Sequence, residues 1–291
     1  RPRHRCRVRP AQDGGGAQAA DPPGGLTRGT AMNGTAGPHA LPGELILSLT
    51  SHPPRFATLR RALDSVLRQT VAPDRIMLWV ADQDVAQLPN EVRQLESRGL
   101  EIRSCGDLKS FNKLIPALEV FPDAFIATVD DDILYPVDLI ERLVGGTEPA
   151  VITCNRAHRI RRRPDGTLAP FCQWELNVAD APARKPSTDI IPIGAGGVLY
   201  PPGTLHPMIA DRSMFQRLCP QGDDLWFYWS ARAAGTRHKK VGEAMVLPLL
   251  SGSQETNLWA ANLAGGNDRM IAALEAELGP AGSRVRLASD S

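Results

Sequence analysis

The chain has 291 residues, 42% hydrophobic and 22% charged, with a formal net charge of +1. This is the make-up of a globular α/β-sized protein with an ordinary core, and a charge so near zero gives no reason to expect nucleic acid as a partner. No stretch approaches ~18 consecutive apolar residues, so no membrane span is expected and membrane contact would be peripheral.

Residues 1 to 42 stand apart. Arg1-Pro2-Arg3-His4-Arg5 is basic, Gly14-Gly15-Gly16 and Pro22-Pro23-Gly24-Gly25 break regular structure, and large apolar residues are scarce. Such a segment cannot bury enough surface to offset its ordering entropy, which predicts a disordered tail. No apolar h-region follows the basic start, which argues against a signal peptide. Met32 lies just before the first ordered signal, so the natural start is expected there, with the first 31 residues irrelevant to function.

From Glu44 onward strand and helix signals alternate. Leu45 to Leu49, Arg75 to Ala81, Glu101 to Cys105 and Ala124 to Val129 read as strands. Between them Phe56 to Gln69, Glu91 to Arg98 and Lys109 to Val120 read as helices, the last with Pro116 as a possible kink. This rhythm predicts a parallel sheet with helices on both faces and ligands at the C-terminal strand ends. A further helix is expected over Pro136 to Val144, and a strand over Val151 to Cys154. Arg159 to Lys185 reads as a long polar excursion around Phe171 and Trp174, followed by the Gly-interrupted apolar run Ile190 to Tyr200. Asp223 to Ala234 and Asn267 to Leu278 are the last helices. The five cysteines (Cys6, Cys105, Cys154, Cys172, Cys219) include no C-x-x-C pair. That speaks against structural zinc or a disulfide framework and for a reducing, cytoplasmic setting.

The chemistry concentrates in a few places. Asp130-Asp131-Asp132 follows the strand Ala124 to Val129. In an extended chain Asp130 and Asp132 share one side and Asp131 takes the other. Their repulsion would be relieved by a divalent cation bridging to phosphate oxygens; the plain alternative is a solvated turn that caps the next helix. Asp223-Asp224 opens a helix, where an acid serves either as general base or as cap. Gly194-Ala195-Gly196-Gly197 would let a loop approach a ligand, or form a turn between strands. Lys109 and Lys113, two of only five lysines, would meet a pyrophosphate or simply face solvent. Trp226, Phe227, Tyr228 and Trp229 offer rings for a sugar platform or for packing. His158, His206 and His238 show no ligand spacing.

Taken together these residues resemble a family. Ser48-Leu49-Thr50-Ser51, followed by Leu63-Asp64-Ser65-Val66-Leu67-Arg68-Gln69 with its Ser-x-x-x-Gln pattern, is similar to the opening of GT-A fold glycosyltransferases, especially family 2. Asp130-Asp131-Asp132 stands where that family has its Asp-x-Asp motif, and Asp223-Asp224-Leu225-Trp226 resembles its Glu-Asp motif. The resemblance covers roughly residues 44 to 265. It implies a nucleotide-diphospho-sugar transferase fold: a Rossmann-like, mostly parallel sheet flanked by helices. A nucleotide-binding half would span 43 to 148 and an acceptor-side half 149 to 265, with a C-terminal helix and tail over 266 to 291.

The implied activity is metal-dependent, inverting sugar transfer from a nucleotide-sugar to a hydroxyl acceptor, in bacterial glycan or polysaccharide assembly. By the same resemblance Thr50, Ser51 and Arg55 would lie beside the nucleotide, and Asp82 would face the base or ribose. Asp132 would hold Mn²⁺ or Mg²⁺, with Asp130 on the metal or the ribose and Asp131 beside them. Gly196 and Gly197 would approach the donor. Asp224 would be the base, oriented by Asp223. The motif reads Asp-Asp here, so either acid is a candidate. The C-terminal His ligand of some GT-A enzymes has no counterpart after His238; Asn257, Asn262 or Asp268 would have to replace it. One rival, a sugar nucleotidyltransferase, needs a Gly-rich loop after the first strand, and Leu49 to Arg55 has no glycine. A dehalogenase-type phosphatase would carry its Asp-x-Asp after the first strand rather than the fourth. A non-catalytic carbohydrate-binding relative is the third rival.

Overall fold

Strand β1 (Leu45–Ser51) is buried along almost its whole length, as a strand covered on both faces must be. The computed structural model describes residues 37–245, 248, 250 and 265–280. In it β1 pairs in parallel with β2 (Arg75–Ala81) and with β4 (Phe125–Thr128), and β2 pairs in parallel with β3 (Leu100–Cys105). Farther along come β5 (Val151–Cys154), β6 (Ala157–Arg159), β7 (Ile190–Pro192), β8 (Val198–Tyr200) and β9 (Arg237–Lys240). β8 lies between β4 and β5 and runs against both, whereas β9 is parallel to β5. The seven-stranded order is β3-β2-β1-β4-β8-β5-β9, and β6 and β7 form a separate antiparallel pair. The expected mostly parallel α/β sheet is what the chain forms.

The helices are α1 (Phe56–Val66), α2 (Asn90–Arg93), α3 (Ile115–Val120), α4 (Leu139–Gly145), α5 (Arg212–Leu218), α6 (Asp223–Ala233) and α7 (Asn267–Leu278). Alternate residues of each strand feed two cores. Leu45, Leu47 and Leu49 pack with α1, α2 and α4 on one face. Ile46, Met77 and Ile126 pack with α3, α5, α6 and α7 on the other.

Several boundaries differ from expectation. Lys109–Lys113 is a 3-10 turn, and α3 begins only at Ile115. Pro116 therefore sits in the first helical turn, where its missing N–H costs nothing, and makes no kink. The helix expected over 91 to 98 is four α residues followed by 3-10 turns that stop at Gly99, φ 95°. α4 starts at Leu139 rather than Pro136. The aromatic run forms no sugar platform: Trp226, Phe227, Tyr228 and Trp229 are at most 2% exposed, because α6 lies inside the core with α7 and the sheet packed against it.

After β5 the chain leaves the sheet at Asn155, whose N–H donates to Gly197 O at 3.2 Å, and comes back at Gly197 itself. α7 is tied on by Asp268, which accepts from Phe171 N–H at 2.7 Å, and by Glu277 with Arg217. Gly37, within the stretch expected to lack structure, already bridges Val71. Residues 1–36, with Met32, and also Asn257 and Asn262, lie outside the described residues. Cys105, Cys154 and Cys219 are free thiols. Among the described residues no helix is long and apolar enough to cross a membrane.

Candidate active site

Parallel strands present their C-terminal ends along one edge, where ligands of such sheets bind. The three acids follow β4 on that edge, but they lie in a turn rather than an extended chain, so Asp131 and Asp132 share one side and Asp130 takes the other, unlike the expected alternation. Asp131 turns toward α1: Ser51 Oγ donates to its Oδ2 at 2.5 Å, and Arg55 Nη1 lies 3.4 Å from Oδ1. The same guanidinium nitrogen is 2.5 Å from Asp132 Oδ2. Asp130 faces the other way, its Oδ1 2.8 Å from Lys113 Nζ. Burial pushes the Asp130 and Asp131 carboxyls up, Asp131 to about 6, against the pull of Lys113 and of Ser51 and Arg55 respectively.

The segment after the acids is held by α1 and the residues just beyond it. Ser65 Oγ accepts from Tyr135 N–H at 3.1 Å. Gln69 Nε2 donates to Pro136 O at 3.0 Å, and its Oε1 accepts from Ile140 N–H at 3.1 Å. The Ser-x-x-x-Gln pattern is thus a clamp on residues 135 to 140. Tyr135 carries the clamp across the site. Its hydroxyl accepts from Asp130 N–H at 2.8 Å and donates to Ala195 O at 3.1 Å, joining the acid turn to the glycine turn.

The second acid pair begins α6. Asp223 Oδ2 lies 2.7 Å from Lys113 Nζ, and Asp224 Oδ1 accepts from Gly194 N–H at 3.0 Å. A methyl on Gly194 would come within 2.6 Å of Lys113 Nζ and 2.9 Å of Asp224 Oδ1, so glycine is required for this approach. Behind Asp224 stand Tyr200, Phe227, Tyr228 and His238, with no room for water. Burial and the neighbouring Asp223 charge push the Asp224 carboxyl up to about 7, opposed by Lys113. The flanking acids raise Lys113 well above its ordinary value despite its burial.

The structure therefore brings together Ser51, Arg55, Lys113, Asp130, Asp131, Asp132, Asp223 and Asp224. Other expected residues are used differently. Thr50 Oγ1 donates to Trp79 O at 2.9 Å. Asp82 stands exposed at the end of β2. Lys109 points to Asp107 (2.6 Å) and is well exposed, apart from Lys113. Arg156 fills the space beside Gly196, and Leu139 the space beside Gly197 (φ 83°), so packing rather than ligand approach accounts for these two glycines. Asp268 is engaged with Phe171. Tyr135 and the Gly194 N–H do not stand out in the sequence, although Tyr135 lies three residues after the acids. Nor does the return of the chain to the acid turn, where Pro248 O accepts from Leu134 N–H and Leu250 N–H donates to Asp132 O.

Asp130 and Asp132 are hard oxygen donors of the kind Mg²⁺ and Mn²⁺ take. Among the described residues, no three acidic, His or Cys side chains form a metal cage. Two carboxylates nevertheless suit a cation that arrives on a diphosphate, because phosphate oxygens and water then complete its shell.

No family model matches the chain, and no curated protein matches it. Among solved structures it is similar to the inositol-1-phosphate CTP transferase from T. maritima, with 10% identity and a TM-score of 0.42, over 76% of this chain and 96% of that one.

Proposed function

We propose that this protein transfers a sugar from a nucleotide-sugar donor to an acceptor hydroxyl. One observation carries the reading: the acid that ends β4 and the acid pair that opens α6 meet on a single buried ammonium, Lys113. The acids that this reading assigns to the donor and to the acceptor therefore lie next to each other, at the edge where sheets of this kind bind ligands.

In this reading the donor diphosphate lies over the ends of β1 and β4. Asp130 and Asp132 would hold the divalent cation that comes with it, which would supply positive charge against the leaving nucleoside diphosphate. Arg55, which stands beside Asp132, supplies fixed positive charge for the phosphates. Asp224 takes the proton of the acceptor hydroxyl as its oxygen attacks the anomeric carbon, with inversion. A carboxyl raised to about 7 is suited to that task, since a general base works best with a pKa near the working pH. Gly194 N–H and Lys113 fix the pair in place; Tyr135 ties its turn to the donor acids.

What supports glycosyl over nucleotidyl transfer is the connection after β1. It runs through a Pro53–Arg55 3-10 turn and has no glycine, whereas nucleotidyl transfer would call for a glycine-rich phosphate cradle there. The test is a panel of nucleotide-sugars with Mg²⁺ or Mn²⁺, read by nucleoside diphosphate release, beside a panel of nucleoside triphosphates with sugar phosphates, read by pyrophosphate release. One donor should turn over in the first panel. Pyrophosphate release alone would make the protein a nucleotidyltransferase.

A further inference from the structure

Beyond Lys113 on the same edge, a recess of about 430 Å³ opens between the segment after β3 and α5, a volume within the range of small-ligand sites (~300–1,000 Å³). Its floor is Phe111 and Phe215, stacked with centroids 4.2 Å apart and planes 18° apart. Lys109, Arg212, Asp107 and Pro220 stand around it. Two strands of chain connect it to the site above. Phe111 leads through Asn112 to Lys113, and Pro220 leads through Gly222 to Asp223.

The polar groups of the rim carry an excess of positive charge. Both Asp107 oxygens are engaged by one residue: Oδ1 accepts from Lys109 N–H at 3.0 Å and Oδ2 lies 2.6 Å from Lys109 Nζ. These bonds hold Lys109 at φ 60°, a left-handed conformation that a non-glycine residue adopts only at a cost. Arg212 Nη2 donates to Asp107 O at 3.3 Å, which uses one N–H of the five that a guanidinium offers. Helix stability does not account for Arg212 either, because a cation at the start of α5 opposes the helix dipole. A guanidinium in this setting is matched by a carboxylate or a phosphate.

We propose that this recess is the acceptor subsite and that the acceptor bears an anionic group, carboxylate or phosphate, bound by Arg212 and Lys109. The inference rests on the glycosyl-transfer reading and names the class of substrate that reading leaves open. The anionic end of the acceptor lies between Arg212 and Lys109, and its reacting hydroxyl is directed toward the start of α6 past Pro220.

The test is an amide chemical-shift titration of the full chain, without donor. The probes are D-glucuronate, α-D-glucose 1-phosphate and methyl α-D-glucopyranoside, the first two distinguishing carboxylate from phosphate. At least one anion should shift Leu108 to Phe111 and Arg212 to Gln216 saturably, and the neutral glycoside should not. Arg212→Ala combined with Lys109→Ala should weaken the anion by about tenfold or more, as loss of charge-assisted bonds implies; both side chains are exposed, so the fold is kept. Equal shifts with the neutral glycoside, no shift with either anion, or unchanged affinity in the double variant would overturn the proposal. So would displacement of the anion by uridine or guanosine diphosphate, which would assign the recess to the donor. A failed titration leaves glycosyl transfer standing. A donor panel without turnover would remove glycosyl transfer and leave any measured anion binding intact.

Discussion

Lys113 Nζ lies 2.7 Å from Asp223 Oδ2, and its side chain is only 6% exposed. With Asp130 at 2.8 Å on its other side, this ammonium is the charge that lets acids from β4 and α6 share a buried space. Lys113→Met would leave both carboxylates without their cation. The expected loss is roughly 3–5 kcal/mol, the usual result of removing one partner from a buried ionic cluster. Urea unfolding of the wild type and the variant measures it; a loss below ~1 kcal/mol would show that the cluster is solvated.

Asp224→Asn keeps the shape of the side chain and the oxygen that accepts from Gly194 N–H. It should leave nucleotide affinity unchanged by calorimetry and lower kcat by about 10²–10⁴-fold, the contribution of a general base. Full activity in this variant would assign the base elsewhere, with Asp223 the next to test.

The raised Asp224 carboxyl also fixes the direction of pH effects. If Asp224 is the base, as proposed, its ionised form is the active one, so kcat should climb as pH rises toward about 7 and level off above it. Stability should move the other way. The folded carboxyl titrates near 7 and the unfolded one near ~3.9, so on raising the pH the unfolded chain loses its proton first. The folded state is therefore favoured at the acid end of that window and loses stability through it. Thermal melts across the window should show this slope reduced in Asp224→Asn. An unchanged slope would deny Asp224 its raised value.

Gly194→Ala tests geometry without touching a charge. The added methyl must displace the ends of Lys113 and Asp224, side chains that can move without unfolding the core. The expected result is little change in melting temperature with a drop in kcat of up to about 10²-fold, the scale of an ångström-sized misplacement.

Asp132→Asn should abolish the dependence of donor affinity on Mg²⁺ or Mn²⁺, and a chelator should reproduce that effect in the wild type. Donor binding that is equally tight with chelator present would mean that Arg55 and Lys113 meet the diphosphate alone.

Much of this was legible in the sequence, and the reasons are local ones. Continuous apolar runs such as Leu45 to Leu49 announce strands covered on both faces, and the acids directly after β4 mark the strand end where the charged cluster gathers. What remained hidden depends on what covers what. The spacing within Trp226 to Trp229 cannot show that α7, some forty residues on, lies against α6. Lys113 looked like a partner of Lys109 because both precede the acid strand. A 3-10 turn instead sends one into the acids and the other to Asp107. Ser65 and Gln69 were visible as a pattern, but their use required the path of residues 135 to 140.

The hydrogen bond from Asn155 N–H to Gly197 O makes residues 156–196 a cassette with both ends pinned at one point of the sheet. That contact closes the excursion at the junction of β5 and β8. The entropic charge for a longer insert grows only slowly, about 0.6 kcal/mol for each doubling of a flexible loop. Within the segment, however, Gly194 N–H holds Asp224, Ala195 O accepts from Tyr135, and Phe171, Trp174 and Ile191 are buried in the core, so changes of length belong at its exposed turn, residues 163–167. Lengthening the turn at Asp165-Gly166, where nothing packs against the glycine, is the engineering route this architecture offers.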